Sequence, residues 1–454
     1  MSVKSYEIDM CSGSVLKKLL LFSIPLMCSS ILQLLFNAAD IVVVGRFAGD
    51  NSLAAVGSNT ALINLLTNLF IGLSVGANVL AARDYGARHE NDLSRTVHTS
   101  VCLSIISGLL LSIIGIAGAK QILIWMQTPA EVLDLAVTYL RIYFAGMPAI
   151  MLYNFGSALL RAVGDTKRPL YFLIISGIVN VVLNLFFVIV LKMDVAGVAL
   201  ATVISETISA GLIVLCLVHE ESGIHLDLKK LRIDRDKFIG ILRTGLPAGF
   251  QGILFALSNV VIQASVNSFG PDVMAGNSAA ANVEGFVYMS MNAFYQSAIS
   301  FVSQNMGARN FRRINRILFT AQICVAFTGL VLGNLVVVFG KPLLGIYSSG
   351  DAVIAAGMER FRIIARTYAL CGIMDVMVGA LRGIGYSVMP MIVSLIGVCV
   401  LRLVWLGTVF QIPEYHTARV IYDSYPITWI IAIAVHIICY IWAFRRVKRR
   451  YSEQ

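Results

Sequence analysis

Long apolar runs constrain this chain more than any other feature. Twelve succeed one another, at about 17–44, 53–80, 94–118, 133–159, 169–191, 195–218, 239–268, 275–303, 315–339, 355–380, 388–410 and 424–444. Roughly twenty apolar residues in a helix cross the hydrocarbon core of a bilayer, and lipid offers the backbone no hydrogen-bond partners. The runs are too long for β-barrel strands and do not alternate. The expected fold is therefore an all-α polytopic membrane protein with twelve transmembrane helices. Composition agrees: 58% of residues are hydrophobic and 13% charged, with a mean hydropathy of +0.81. Soluble domains are about a quarter charged.

The formal net charge of +10 invites a nucleic-acid reading, but the distribution of charge argues for topology. Basic residues gather in every second connection: Lys17 and Lys18; Arg83, Arg88 and Arg95; Arg161, Lys167 and Arg168; Lys229 to Arg243; Arg309, Arg312, Arg313 and Arg316; and the tail RRVKRR. The alternate connections carry few, chiefly Arg46, Lys120, Lys192, Lys341 and Arg419. This is the positive-inside pattern of a plasma (inner) membrane protein with both termini in the cytoplasm. The eight cysteines are scattered without a CxxC and read as small core residues. The first run lacks a small-residue cleavage motif, so it is expected to remain as the first span.

The long polar stretch HEESGIHLDLKKLRIDRDKFIGILR, from His219 to Arg243, divides the spans six and six. The halves repeat. LLRAVGDTKRP (159–169) aligns with ALRGIGYSVMP (380–390) at Leu160/Leu381, Arg161/Arg382, Gly164/Gly385 and Pro169/Pro390, a separation of 221 residues. YGARHENDLSR (85–95) aligns with MGARNFRRINR (306–316) at the same 221. YLRIY (139–143) meets RFRII (360–364), and SIP (23–25) meets GLP (245–247) one residue further on. Six spans per half imply two parallel-related lobes around a central cleft, the architecture of a secondary transporter. The expected divisions are a cytoplasmic N-terminal segment (1–16), an N-terminal lobe (17–218), a cytoplasmic linker (219–238), a C-terminal lobe (239–444) and a basic tail (445–454).

Polar residues inside the runs are the candidates for function. Ser29, Gln33, Asn37 and Asp40 fall on one face of the first helix, at spacings of four, four and three. An Asp at depth costs about 2.5–3.5 kcal/mol to insert, so it faces protein or a water-filled cavity. It is either the carboxylate that exchanges ions or an anchor near the helix end, where Gly45 and Arg46 follow. In the repeat, Asn37 aligns with Asn259 but Asp40 with Ile262, which assigns the carboxylate to the first lobe alone. Ser176, Asn180 and Asn184 share a face of the fifth span, and Asn64 and Asn68 a face of the second. Such amides serve either a cation or interhelical packing. Glu206, Glu284 and Asp375 are further acids within spans. Glu284 shares a face with Tyr288, Met291 and Tyr295, a pattern suited to a cavity wall for flat cations or to ordinary packing. Asp375 aligns with Asn154, and the role of Glu206 is open. Arg161 and Arg382 read as helix-end or gate elements, and both GAR segments as turns.

The paired LR-x-x-G…P segments, the paired GAR…R loops and the Asp of NAADIVVVGR resemble the multidrug and toxic compound extrusion (MATE) family over about 17–445. The stretch AANVEGF…SQNMGARN is similar to its bacterial DinF- and MepA-type branch. The resemblance implies an antiporter, with no cofactor, that expels cationic or amphipathic drugs against a gradient of H+ or Na+. It implies a coupling site at Asp40 and Asn37 with Asn180 and Asn184, where Na+ is one candidate ion. It implies a substrate cavity drawing on Gln33, Asn64, Asn68, Glu284, Tyr288 and Asp375. Some members carry a second acid where this chain has Asn184, and no acid lies between Pro247 and Gly270, where NorM-type members keep one. Proton coupling is the expectation, in a monomer without nucleic-acid partners. The alternative is a flippase for lipid-linked oligosaccharides, which calls for cavity cations where this chain has mainly acids. A membrane enzyme lacks support, because HExxH, GxSxG and Walker motifs are absent from the sequence.

Overall fold

The computed structural model describes residues 6–221 and 223–452, except the side chains of Ala61 and Ser452. Residues 1–5 of the N-terminal segment, Ser222 of the linker and residues 453–454 of the tail lie outside the described residues. The fold is helical throughout them, without strands. The order is α1 Val15–Phe47, α2 Asp50–Gly86, α3 Glu90–Trp125, α4 Ala130–Ala145, α5 Met147–Ala162, α6 Lys167–Leu185 and α7 Asp194–Val218. After the linker come α8 Arg235–Asn267, α9 Pro271–Gly307, α10 Phe311–Val338, α11 Gly340–Gly345, α12 Asp351–Arg360, α13 Ala369–Gly383, α14 Val388–Ser394, α15 Leu401–Gly407 and α16 Ala418–Ser452.

Among the described residues nine helical segments, with 388–411 (α14 and α15) counted as one, are long and apolar enough to cross a membrane, and two bent pairs bring the number to eleven. The twelfth expected span is α9, whose 37 residues suffice in length but carry Asn277, Asn282, Glu284, Asn292 and Gln296. The expected run 133–159 is broken: α4 and α5 meet at 47°. Gly146 caps α4, and Pro148, which has no N–H to donate, opens α5. The run 355–380 is broken likewise at 45°, where α12 passes through a π-helical turn (Phe361–Ala365) before α13. Two further π-helical turns, Phe186–Val190 and Leu395–Val400, continue α6 and α14.

The helices are apolar outside and hydroxylated inside, as lipid demands. In α3, Ile106, Leu109 and Ile113 are exposed while Ser100, Ser104 and Ser107 are buried. Each of those serines donates to a carbonyl of its own helix, three or four residues back. Ser112 reaches across to the Phe144 carbonyl of α4 at 2.6 Å. Small hydroxylated residues let membrane helices approach closely and satisfy one another.

The chain forms two compact units: residues 1–9 with 28–249, and residues 10–27 with 250–454. The boundaries fall inside α1 and α8, two residues beyond Pro25 and Pro247, the aligned prolines of SIP and GLP.

Both units close the LR-x-x-G motif in the same way. Gly164 and Gly385 adopt φ of 95° and 101°, a region costly for any residue with a Cβ. The amide after each donates five residues back, Asp165 to the Leu160 carbonyl and Tyr386 to the Leu381 carbonyl, both at 2.9 Å. This is a Schellman cap, and it explains the repeated glycine. The GAR turns match too, with Arg88 at φ 59° and Arg309 at φ 54°.

In the first unit the linker is tied down by charge. Asp234 accepts from the backbone amides of Asp236 and Lys237 as the cap of α8, and from Arg95 Nη2 at 2.5 Å. Those hydrogen bonds, the Arg95 one foremost, hold the Asp234 carboxyl below its ordinary range. Lys237 lies 2.8 Å from Asp84, and the Asp227 amide donates to His98 Nε2 at 3.2 Å.

Candidate functional site

The periodicity of α1 places Gln33, Asn37 and Asp40 on one side, and in the first unit that side opens into a cavity of about 270 Å³. From α2 come Asn64 and Thr67; from α4, Tyr143; from α5, Tyr153 and Asn154. Ser176 and Asn180 of α6 and Thr202, Ser205 and Glu206 of α7 complete its polar wall. None of the lining residues is Lys, Arg or His. The wall thus offers two carboxyls, several amides and hydroxyls, and the rings of Phe36, Tyr143 and Tyr153.

Asp40 is held from behind. Asn184, fully buried, donates its side-chain amide to Asp40 Oδ1 and also to Asn180 Oδ1, the latter at 3.2 Å. Asn180 in turn donates to the Thr202 hydroxyl at 3.5 Å, a long and weak bond, and Thr202 also faces Asp40. The carbonyl oxygen of Asn184 is buried without a partner. A carboxylate with amide and hydroxyl neighbours and no adjacent cation can take up a proton or a monovalent metal ion.

The cavity is narrow for a simple reason. Phe36 lies directly over Gly177, and a Cβ on that glycine would fall 1.9 Å from the ring. Only a residue without a side chain lets α1 and α6 come this close.

The sequence assigns Asn37, Asp40 and Asn180 to a coupling site and Gln33 and Asn64 to a substrate cavity; the structure lines one cavity with all five, with Asn184 behind Asp40. Asn68, half-buried one turn from Asn64, is not among the lining residues. Thr67, Tyr143, Tyr153, Thr202 and Ser205 are additions. Thr202 and Glu206 stand at i, i+4 on α7, the same spacing that singles out Asn180 and Asn184.

The second unit is built differently, around buried arginines. The sequence sets Glu284 in a cavity wall, but the structure gives it a cation of its own. Arg360, from the end of α12, binds Glu284 through Nη2 at 2.7 Å and Nε at 3.1 Å, and donates to Asn277 at 2.7 Å. Glu284 is therefore a structural ion-pair partner here, with its Oε1 left over. Asp375 stands beside Tyr288. Arg382 donates to the Tyr295 hydroxyl and to Gln251 at 2.8 Å, and its Nε, like that of its counterpart Arg161, is buried without a partner. Arg402 lies 3.9 Å from the centre of the Tyr425 ring and donates to Thr428.

Comparison with known proteins agrees with this architecture. A family model described as MatE matches residues 25–186 and 247–406. The chain is 28% identical over 392 residues to the probable multidrug resistance protein YoeA of Bacillus subtilis, covering 85% of each chain. It is 20% identical over 371 residues to the multidrug export protein MepA of Staphylococcus aureus, covering 82% of each. Among solved structures, an outward-facing multidrug resistance MATE family transporter of the MOP superfamily superposes with a TM-score of 0.92. That likeness spans 99% of this chain and 100% of the other at 21% identity, and it concerns the fold.

Proposed function

The chain belongs to the MatE family of multi-pass membrane transporters, and on that premise we propose that it is a secondary multidrug exporter that exchanges organic cations for protons by alternating access. One observation carries the reading: a cavity holding Asp40 among amides, hydroxyls and rings, without a basic side chain. Ionised, Asp40 attracts a cation, and the rings receive its flat apolar body. Protonated, it repels nothing but attracts nothing, and the cargo leaves. One carboxyl that serves either proton or cargo makes the two mutually exclusive, which is what antiport requires.

Asn184 suits the exchange. Its NH2 serves the carboxylate, and rotation of the amide offers its unpartnered carbonyl to the proton of the neutral acid. The same oxygen, with Asn180, Thr202 and Asp40, favours Na+ as a second reading. A flippase would need cations to meet a pyrophosphate, and this cavity supplies carboxyls. Exchange of one proton for one monocation moves no net charge, so the pH gradient drives export, with about 1.4 kcal/mol available per tenfold difference in proton concentration and no nucleotide. The distribution of basic residues supports a plasma-membrane orientation with both termini cytoplasmic.

The test is transport of an ethidium-like cation in proteoliposomes, with pH and sodium gradients imposed separately. Export follows the pH gradient and is abolished in Asp40→Asn, which still reconstitutes. Wild-type rates from Asp40→Asn overturn the coupling assignment, and export driven only by sodium replaces the proton with Na+.

A further inference from the structure

We propose that Glu206 makes the Asp40 cavity a receptor for cargo bearing two cationic centres, an inference that rests on the cation-export reading above. Glu206 lines the same cavity as Asp40 but approaches it from α7. Among the described residues no hydrogen bond or ion pair engages it. Glu284, a buried acid of the other unit, shows the contrast: there the fold supplies Arg360. Because no cavity residue carries positive charge, the charge that answers Glu206 comes from outside the fold.

The geometry fits one ligand touching both acids. Thr202 faces Asp40, and Glu206 stands on the next turn of α7 on the same face. Residues four apart in a helix have Cβ atoms about 5–6 Å from each other. Tyr143 lines the same cavity from α4, so an aromatic ring accompanies the two carboxyls. A monocation satisfies one carboxylate and leaves the other exposed in a low-dielectric cavity. A dication with a short spacer satisfies both. Its replacement by two protons leaves the charge of the cavity unchanged, so the exchange balances.

The experiment is calorimetric binding to the full chain in lipid nanodiscs, with empty nanodiscs as the blank. The probes are α,ω-bis(trimethylammonium) alkanes with spacers of about four to ten carbons, the range set by one helical turn plus two side chains. Each is compared with the alkyltrimethylammonium ion of the same length. The expected result is a bis-cation preference of about tenfold or more at one spacer length in wild type. Glu206→Gln erases that preference, weakening the bis-cation at least about tenfold more than the monocation. Glu206→Asp keeps the preference and moves the optimum to a longer spacer; this variant carries the test if the glutamine form does not fold. Three results overturn the inference: no preference at any spacer, equal weakening of both ions by Glu206→Gln, or an unmoved optimum in Glu206→Asp. If the monocation is bound and exported without a bis-cation preference, this inference alone falls. If neither ion binds wild type, the cation-export reading falls with it.

Discussion

Asn184 gives both hydrogens of its side-chain amide to oxygens beside the cavity of the first unit, one to Asp40 and one to Asn180, and keeps its own carbonyl oxygen without a partner. A neutral residue thereby orients the carboxylate without neutralising it. The arrangement is asymmetric by construction: donors are committed and an acceptor is in reserve.

Replacing Asn184 with Leu removes the donor and the reserve acceptor together. A hydrogen bond to a charged group is worth about 1.5–3 kcal/mol, so gradient-driven export should fall at least about tenfold. Rates are compared at equal amounts of reconstituted protein, because acceptors left without their buried donor also cost about 1–3 kcal/mol of stability. Initial efflux rates from proteoliposomes measure the effect, and an unchanged rate would detach Asn184 from coupling.

The Glu284–Arg360 pair predicts a stability phenotype rather than a drug-preference phenotype. Removing one member of a buried pair typically costs about 3–5 kcal/mol because the other charge is left uncompensated. Glu284→Gln and Arg360→Met should each lower the thermal midpoint in detergent sharply. The double replacement Glu284→Met with Arg360→Met should recover much of the loss, since apolar substitutes often match a buried ion pair. Additive losses in this cycle would contradict the pairing.

The repeated turns predict opposite signs at neighbouring positions. Gly164→Ala and Gly385→Ala force a side chain into positive φ and should each cost about 1–2 kcal/mol. At Gly164 the added Cβ would also meet the Ile8 carbonyl oxygen at 2.4 Å. Arg88→Gly and Arg309→Gly relieve the same penalty and should be neutral or stabilising by up to about 1 kcal/mol. Thermal unfolding of the four variants gives the comparison directly.

Acid should loosen the linker. The Asp234 carboxyl is held below its ordinary range by Arg95 and by the amides at the start of α8. A depressed carboxyl contributes stability at pH values above its unfolded value, about 3.9, and loses it as pH falls through the lower folded value. The gap in thermal midpoint between wild type and Asp234→Asn should therefore be constant above about pH 5 and close below about pH 4. A gap that persists at pH 3 would show that Asp234 acts through something other than its charge.

Much of this was written in the order of residues, and the exceptions have physical causes. The stripe of Gln33, Asn37 and Asp40 was legible because helical periodicity puts i, i+4 and i+7 on one face. The failure of Asp40 to recur at Ile262 singled out its half. The partner of Glu284 was not legible, because Arg360 lies 76 residues away and ion pairing leaves no local pattern. Nor were Tyr143 and Thr202: each helix announces its own polar face, but not which neighbour that face meets. The break at Gly146 was masked by an unbroken apolar run, although Pro148 marks the new helix start. Hydropathy measures how much chain fits a membrane, and it is blind to bends that keep the same residues in lipid.

The meeting of Phe36 with Gly177 bears on how such a protein changes over generations. The room available to a visiting molecule is limited by a ring resting on a hydrogen atom. An alanine at position 177, one nucleotide change away, would push the ring aside and reshape the space without touching an acid or an amide. Smaller residues at position 36 would widen it by the opposite route. The range of compounds admitted can therefore drift by single steps while the acids and amides of the cavity stay as they are, and a lineage exposed to a new toxin would find these two codons among its shortest paths to resistance.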